Sequence, residues 1–265
     1  MATTLRSYHR WPVTLFLEKD AAFPKMRLDI FDDVRCVSSI RGRQKHINKF
    51  YHLRNSPYRT TLWLDNDLLF FGEIDFFVQH LKSEPFSMFV NYVSKENFKR
   101  QHSEGWRRGI SVSTMLRLTY SITSGPGGHY LYERNPVGRR RLEEIIIAAT
   151  DPFQLKLYRI LQGERNDPVY FADEPWVMCH ALLNGIRLPS FTEFPERDLY
   201  GCYMEDDSGT YRNLKLENGR LSYTHIISTW DGEQCFLRKV PKVIHFIGNG
   251  KKNGCYLSYV SHLVG

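Results

Sequence analysis

The sequence predicts an α/β protein, with helices packed around a central, mainly parallel sheet. Three observations lead there. Strand-like and helix-like patterns alternate with short connections from Thr3 to Val90. Two apolar runs, Val13-Thr14-Leu15-Phe16-Leu17 and Thr61-Leu62-Trp63-Leu64, are too uniform for strands with one wet face, so they read as strands buried on both sides. The second run ends in Asp65-Asn66-Asp67, and α/β sheets bind ligands at the C-terminal ends of their strands.

The elements follow in order. Thr3 to His9 reads as a short helix that Trp11-Pro12 breaks. Val13–Leu17 is the first strand and Asp32–Val37 a weaker second one. From Gly42 to Leu53 the pattern is helical, with Ile47, Phe50, Tyr51 and Leu53 offering an apolar face, and Asn55-Ser56-Pro57 stops it. The central strand and its aspartates come next. Residues i and i+2 of an extended segment share a side, so Asp65 and Asp67 offer two carboxylates to one site while Asn66 faces away. The plain alternative makes Asp67 the cap of a following helix. Ile74, Phe77, Val78 and Leu81 sit at helical spacing, and Ser87–Val90 is another strand.

Beyond residue 95 the pattern loosens. Lys95 to Leu118 is a polar, basic excursion. Thr123 to Tyr132 is a glycine-rich turn leading into an aromatic strand, and no Gly-Lys-Ser/Thr follows to make it a Walker phosphate loop. Pro136 opens a helix over Val137–Ala149 with Leu142, Ile145, Ile146 and Ala149 inward. Asp173 is a candidate N-cap for a helix that stops at Asn184-Gly185, with Pro175 in its first turn. Leu214–Tyr223 is a hairpin turning at Asn218-Gly219. Lys242–Ile247 is the last strand and carries His245.

Composition narrows the function. At 265 residues the chain can bury one large core, and length alone allows one or two domains. Hydrophobic residues make up 42%, which excludes a disordered chain. The formal charge of +7 suits an anionic partner. Nucleic acid is not expected to be that partner, because aromatics are not interleaved with the basic run and no recognition module is present. There is no membrane span and no apolar leader core, and the scattered cysteines make no Cys-x-x-Cys pair, so a cytoplasmic protein is the expectation.

Between Arg35 and Arg59 lie seven lysines or arginines and no acid between Asp33 and Asp65. Either this is a solvated helix face, or Lys45 or Lys49 reaches a diphosphate beside the aspartates. Gathered carboxylates repel unless a hard cation such as Mg²⁺ or Mn²⁺ neutralises them.

Three segments together resemble GT-A nucleotide-sugar glycosyltransferases, nearest the glycogenin-like and galactinol-synthase-like family. They are SPYRTTLWLDNDLLF from Ser56, FADEPW from Phe171 and IHFIGNGKK from Ile244. The resemblance implies a GT-A, Rossmann-like sandwich, here beginning after that fold's first strand. It implies Asp65, Asp67 and His245 as ligands of Mn²⁺ or Mg²⁺. It also implies one domain over 1–265, with a nucleotide and metal half over about 1–95 and an acceptor half over about 96–265, and Gly248 and Lys251 against a nucleoside diphosphate sugar, a UDP-sugar being expected; Lys45, Lys49 and Asn66 are candidate neighbours of that donor from the residues themselves. Asp173 or Glu174 would face the transferred sugar or the hydroxyl acceptor, a carbohydrate or another alcohol. Trp176 would stack on an acceptor ring or belong to the core. The implied reaction is transfer of a hexose-type sugar with retention. The sequence departs from the family at Lys252-Asn253 and in Thr123-Ser124-Gly125. Two alternatives stand beside it: a haloacid-dehalogenase-like phosphatase, which also opens on Asp-x-Asp but expects Thr or Val where Leu69 stands, and a non-catalytic nucleotide-sugar-binding remnant.

Overall fold

The computed structural model describes residues 1–19, 28–40, 46–94, 119–124, 128–153, 173–204, 211–218, 220–228 and 234–247. The chain is mixed α/β. Helix α1 (Ala2–Arg6) precedes strands β1 (Thr14–Glu18) and β2 (Asp33–Val37), helix α2 (Asn48–Arg54) and strands β3 (Thr60–Leu64) and β4 (Leu68–Phe70). Helix α3 (Asp75–Leu81) leads to β5 (Phe86–Ser87), β6 (Val90–Ser94), β7 (Tyr120–Ser124) and β8 (His129–Glu133). Helices α4 (Pro136–Thr150) and α5 (Asp173–Leu183) follow. Among the described residues five strands follow: β9 (Tyr200–Met204), β10 (Tyr211–Glu217), β11 (Arg220–Ser228), β12 (Gln234–Lys239) and β13 (Val243–Ile247).

Among the described residues these strands form several small sheets with mostly antiparallel pairing, rather than one mainly parallel sheet. Among the described strand pairs, β1–β2 and β9–β13 are parallel, and Val90 makes an isolated parallel bridge to Ser190. Strand β8 lies between β3 and β5 and is antiparallel to both, so β3 and β5 run in the same direction. β1 is half-buried rather than buried on two faces, and β2 is its one described neighbour.

The side chains of β8 alternate between two cores. Tyr130 and Tyr132 pack with Phe50 and Leu53 of α2, Leu142 and Ile146 of α4 and Val177 of α5. Leu131 points the other way, to Phe77 and Leu81 of α3 and Leu5 of α1. Period-two alternation on a strand thus puts helices on both sides of this small sheet. A third cluster joins Leu69, Ile244 and Phe246 to Leu221 and Tyr223, seating the β10–β11–β12 sheet against β4 and β13.

Local chemistry explains several ends. Asn135 caps α4, its side-chain oxygen accepting from the Gly138 amide at 2.8 Å, with Pro136 at the first helical position. α5 stops before Gly185, whose φ of +63° suits a residue without a Cβ. Asn218, at φ +51°, opens the expected hairpin turn between β10 and β11. The expected basic excursion over 95–118 and the glycines at 125–127 lie outside the described residues, as do Lys45, Gly248 and Lys251. Among the described residues no helix is long and apolar enough to cross a membrane, and Cys36 and Cys235 are free thiols.

Candidate metal centre

Asp65, Asp67 and His245 meet. One ligand atom from each can be chosen so that all lie within 4.8 Å of one another. The carboxylates do not converge by strand alternation. β3 ends at Leu64, and Asp65-Asn66-Asp67 forms a turn, with the Leu68 amide 3.4 Å from the Asp65 carbonyl. The turn enters strand β4 and not a helix, so the capping reading of Asp67 is overturned. Asn66 is the exposed tip of that turn.

His245 arrives through pairing. β13 runs antiparallel to β4 with His245 opposite Leu68, and the Phe246 amide donates to the Asp67 carbonyl at 3.0 Å. This register sets the imidazole beside the turn, with Nε2 3.2 Å from Asp67 Oδ1. His245 Nδ1 is buried and has no hydrogen-bond partner among the described residues.

Gly128 ties the two sides together. Its carbonyl accepts from the Asp65 amide at 2.7 Å, and its φ is +86°. A Cβ built there would lie 3.0 Å from Cε1 and 3.2 Å from Nε2 of His245. The imidazole therefore occupies space that only glycine leaves. Gly128→Ala is expected to displace it, lowering Mn²⁺ affinity about tenfold and costing about 1–2 kcal/mol through the positive φ. Calorimetric titration and thermal melting check both, and unchanged affinity would show that the ring has room to stay.

A second cluster adjoins the first. Lys49, on α2, places its ammonium 2.9 Å from Asp65 Oδ2 and 2.8 Å from Asp173 Oδ2. The Trp63 indole donates to Asp65 Oδ1 at 3.1 Å, and the Tyr130 hydroxyl to Asp173 Oδ2 at 2.7 Å. His46 Nδ1 stands 3.7 Å from Asp173 Oδ1. Asp173 was expected as an N-cap. It is instead the first residue of α5 and spends its carboxylate on Lys49 and Tyr130. Trp176 is 2% exposed and belongs to the core.

The two acids at the start of α5 differ in charge. Burial raises the Asp173 pKa, but the Lys49 ammonium and hydrogen bonds from Lys49 and Tyr130 outweigh it and the net shift is downward. Burial likewise opposes the Lys49 charge, and Asp173 and Asp65 overcome it, raising the lysine. Glu174 is pushed up to about 7, first by burial and next by the Asp173 carboxylate, against the pull of Lys49 and His245. Between its ordinary 4.5 and about 7 the folded protein holds this proton more tightly than the unfolded chain, so stability falls as pH rises through that window and is level above it. In metal-free protein at pH 8, Glu174→Gln is expected to stabilise by on the order of 2 kcal/mol, with the gain vanishing near pH 4.5. Denaturant melts at the two pH values measure it.

The donor set fits a hard or borderline divalent cation: two carboxylates and an imidazole, half-buried to buried. Asp65, Asp67 and Asp173 against Lys49 also leave a formal excess of two negative charges, which such an ion balances. Sequence reasoning placed Asp65, Asp67, His245, Lys49, Asp173 and Glu174 here. It missed Tyr130, Trp63, His46 and the particular role of Gly128. Tyr130 and Trp63 read as core aromatics in strands, and nothing local marks a polar tip as engaged. No family model matches the chain, and neither does any curated protein or solved structure.

Proposed function

We propose that the protein is a metal-dependent glycosyltransferase that moves a sugar from a nucleoside diphosphate sugar, a UDP-sugar first among them, to an acceptor hydroxyl. One observation carries the reading: Asp65 and Asp67, and His245 from far along the chain, bring their ligand atoms within 4.8 Å of each other. The same three residues are the metal ligands that the GT-A resemblance implies. Helices on both faces of the β3–β8–β5 sheet are compatible with the proposed GT-A sandwich. Retention of configuration is what the resemblance implies, and a cytoplasmic setting accords with the free thiols.

In this reading Asp65, Asp67 and His245 hold Mn²⁺ or Mg²⁺, which when bound supplies Lewis-acid stabilisation of charge growing on the diphosphate. Asp173, its carboxylate fixed by Lys49 and Tyr130, orients a hydroxyl rather than exchanging a proton. Glu174, poised near neutral pH, is the group suited to take or give a proton at the acceptor. The phosphatase alternative expects Thr or Val where Leu69 stands, and an aryl phosphate assay separates it from this reading.

A screen of UDP-, GDP- and TDP-sugars for release of the nucleoside diphosphate tests the proposal. Turnover of at least one donor, lost in EDTA and restored by Mn²⁺, is expected. Hydrolysis of an aryl phosphate with no turnover of any donor would overturn it.

A further inference from the structure

Lys49 stands where the two clusters join. Its ammonium contacts Asp65 Oδ2 and Asp173 Oδ2, and its side chain is 16% exposed. Each carboxylate has a second donor of its own, Trp63 for Asp65 and Tyr130 for Asp173. The Asp65 amide is also pinned to the Gly128 carbonyl. Neither aspartate therefore depends on the lysine alone for its orientation. What Lys49 alone supplies is a full positive charge between them: among the described residues no other lysine or arginine pairs with either.

We propose that Lys49 is the resident counter-ion of the metal site: it neutralises Asp65 and Asp173 together, holds the site closed before the metal arrives, and sets the metal affinity by opposing the incoming charge. The inference rests on the metal reading above. Two effects compete when the charge is removed. Loss of a positioning contact would weaken metal binding, whereas loss of a cation in contact with a ligand carboxylate would strengthen it. Charges at this range in a poorly hydrated site interact strongly, while Trp63 and Gly128 retain Asp65. The electrostatic effect decides the sign. Cutting the lysine also strands the buried Asp173 carboxylate and the half-buried Asp65 one, which destabilises the metal-free fold and makes the metal more stabilising.

Mn²⁺ titration by calorimetry, with thermal melting in EDTA and in Mn²⁺, tests this on the full chain. Lys49→Met is expected to melt lower than wild type in EDTA, to bind Mn²⁺ about tenfold tighter, and to gain more from Mn²⁺ in its melting temperature. Lys49→Arg, which keeps the charge, is expected to restore an affinity within about threefold of wild type. A Lys49→Met protein that binds Mn²⁺ equally or more weakly overturns the proposal. Should that variant fail to fold, Asp173→Asn decides. It leaves the whole ammonium to Asp65 and is expected to weaken Mn²⁺ binding at least about threefold, and unchanged affinity there overturns the proposal as well. A wild-type protein that binds no Mn²⁺ removes the metal site itself and this proposal with it, whereas wild-type binding with the wrong response at Lys49 removes only the counter-ion.

Discussion

Replacing Asp67 with alanine is expected to lower metal-dependent donor hydrolysis or transfer by about 10³-fold or more, with the fold intact. The size follows from the site's chemistry. Removing a group one shell outside a metal typically costs 10- to 100-fold in affinity or activity, and Asp67 is placed to be a direct ligand. The described backbone contacts of this turn run through main-chain atoms: the Phe246 amide donates to the Asp67 carbonyl, and Leu68, Leu69 and Phe70 are buried. Removal relieves the approach of Asp67 to the Asp65 carboxylate but also ends its 3.2 Å contact with His245 Nε2, so melting is read beside turnover. Steady-state turnover with Mn²⁺, alongside melting in EDTA, separates the two effects. Undiminished turnover would sink the metal assignment.

Gly138→Ala is expected to cost about 3 kcal/mol or more, although helix propensity argues the other way. Gly138 lies in the first turn of α4, where alanine would be favoured by about 0.5–1 kcal/mol. A Cβ there would fall 2.0 Å from the Glu133 carbonyl oxygen and 3.1 Å from that of Pro85. Neither oxygen sits on a flexible side chain. The Glu133 amide donates to the Pro85 carbonyl at 2.7 Å, and the next amide, Arg134, donates to the Arg59 carbonyl. Relief must come from moving α4 off the end of β8, which opens the core around Leu142 and Ile146. Steric conflict with fixed backbone therefore beats propensity. A denaturant midpoint at or above that of wild type would contradict the packing described here.

What could be read from the chain was set by local pattern. α2 and the Ile47 that precedes it show one face at Ile47, Phe50 and Leu53, all fully buried, and β13 matches its apolar run. The Asp-Asn-Asp pair was visible as a place of chemistry but not in its geometry, because a turn rather than an extended segment joins the carboxylates. Sheet composition was less visible. Apolar runs reveal strands, but the antiparallel insertion of β8 between β3 and β5 depends on pairing between distant segments. Asp173 shows why capping signals mislead at a site: the residue type suits a helix start, and a buried lysine from another helix claims its carboxylate. Tyr130 carried no local sign at all, since its ring fills the core while its hydroxyl reaches Asp173.

The most direct measurement is a calorimetric Mn²⁺ titration of the wild-type chain beside His245→Ala. A metal centre built from Asp65, Asp67 and the distant His245 predicts saturable binding of one equivalent in the first and at least about 100-fold weaker binding in the second. No saturable binding in the wild type, or equal binding in both, would contradict it.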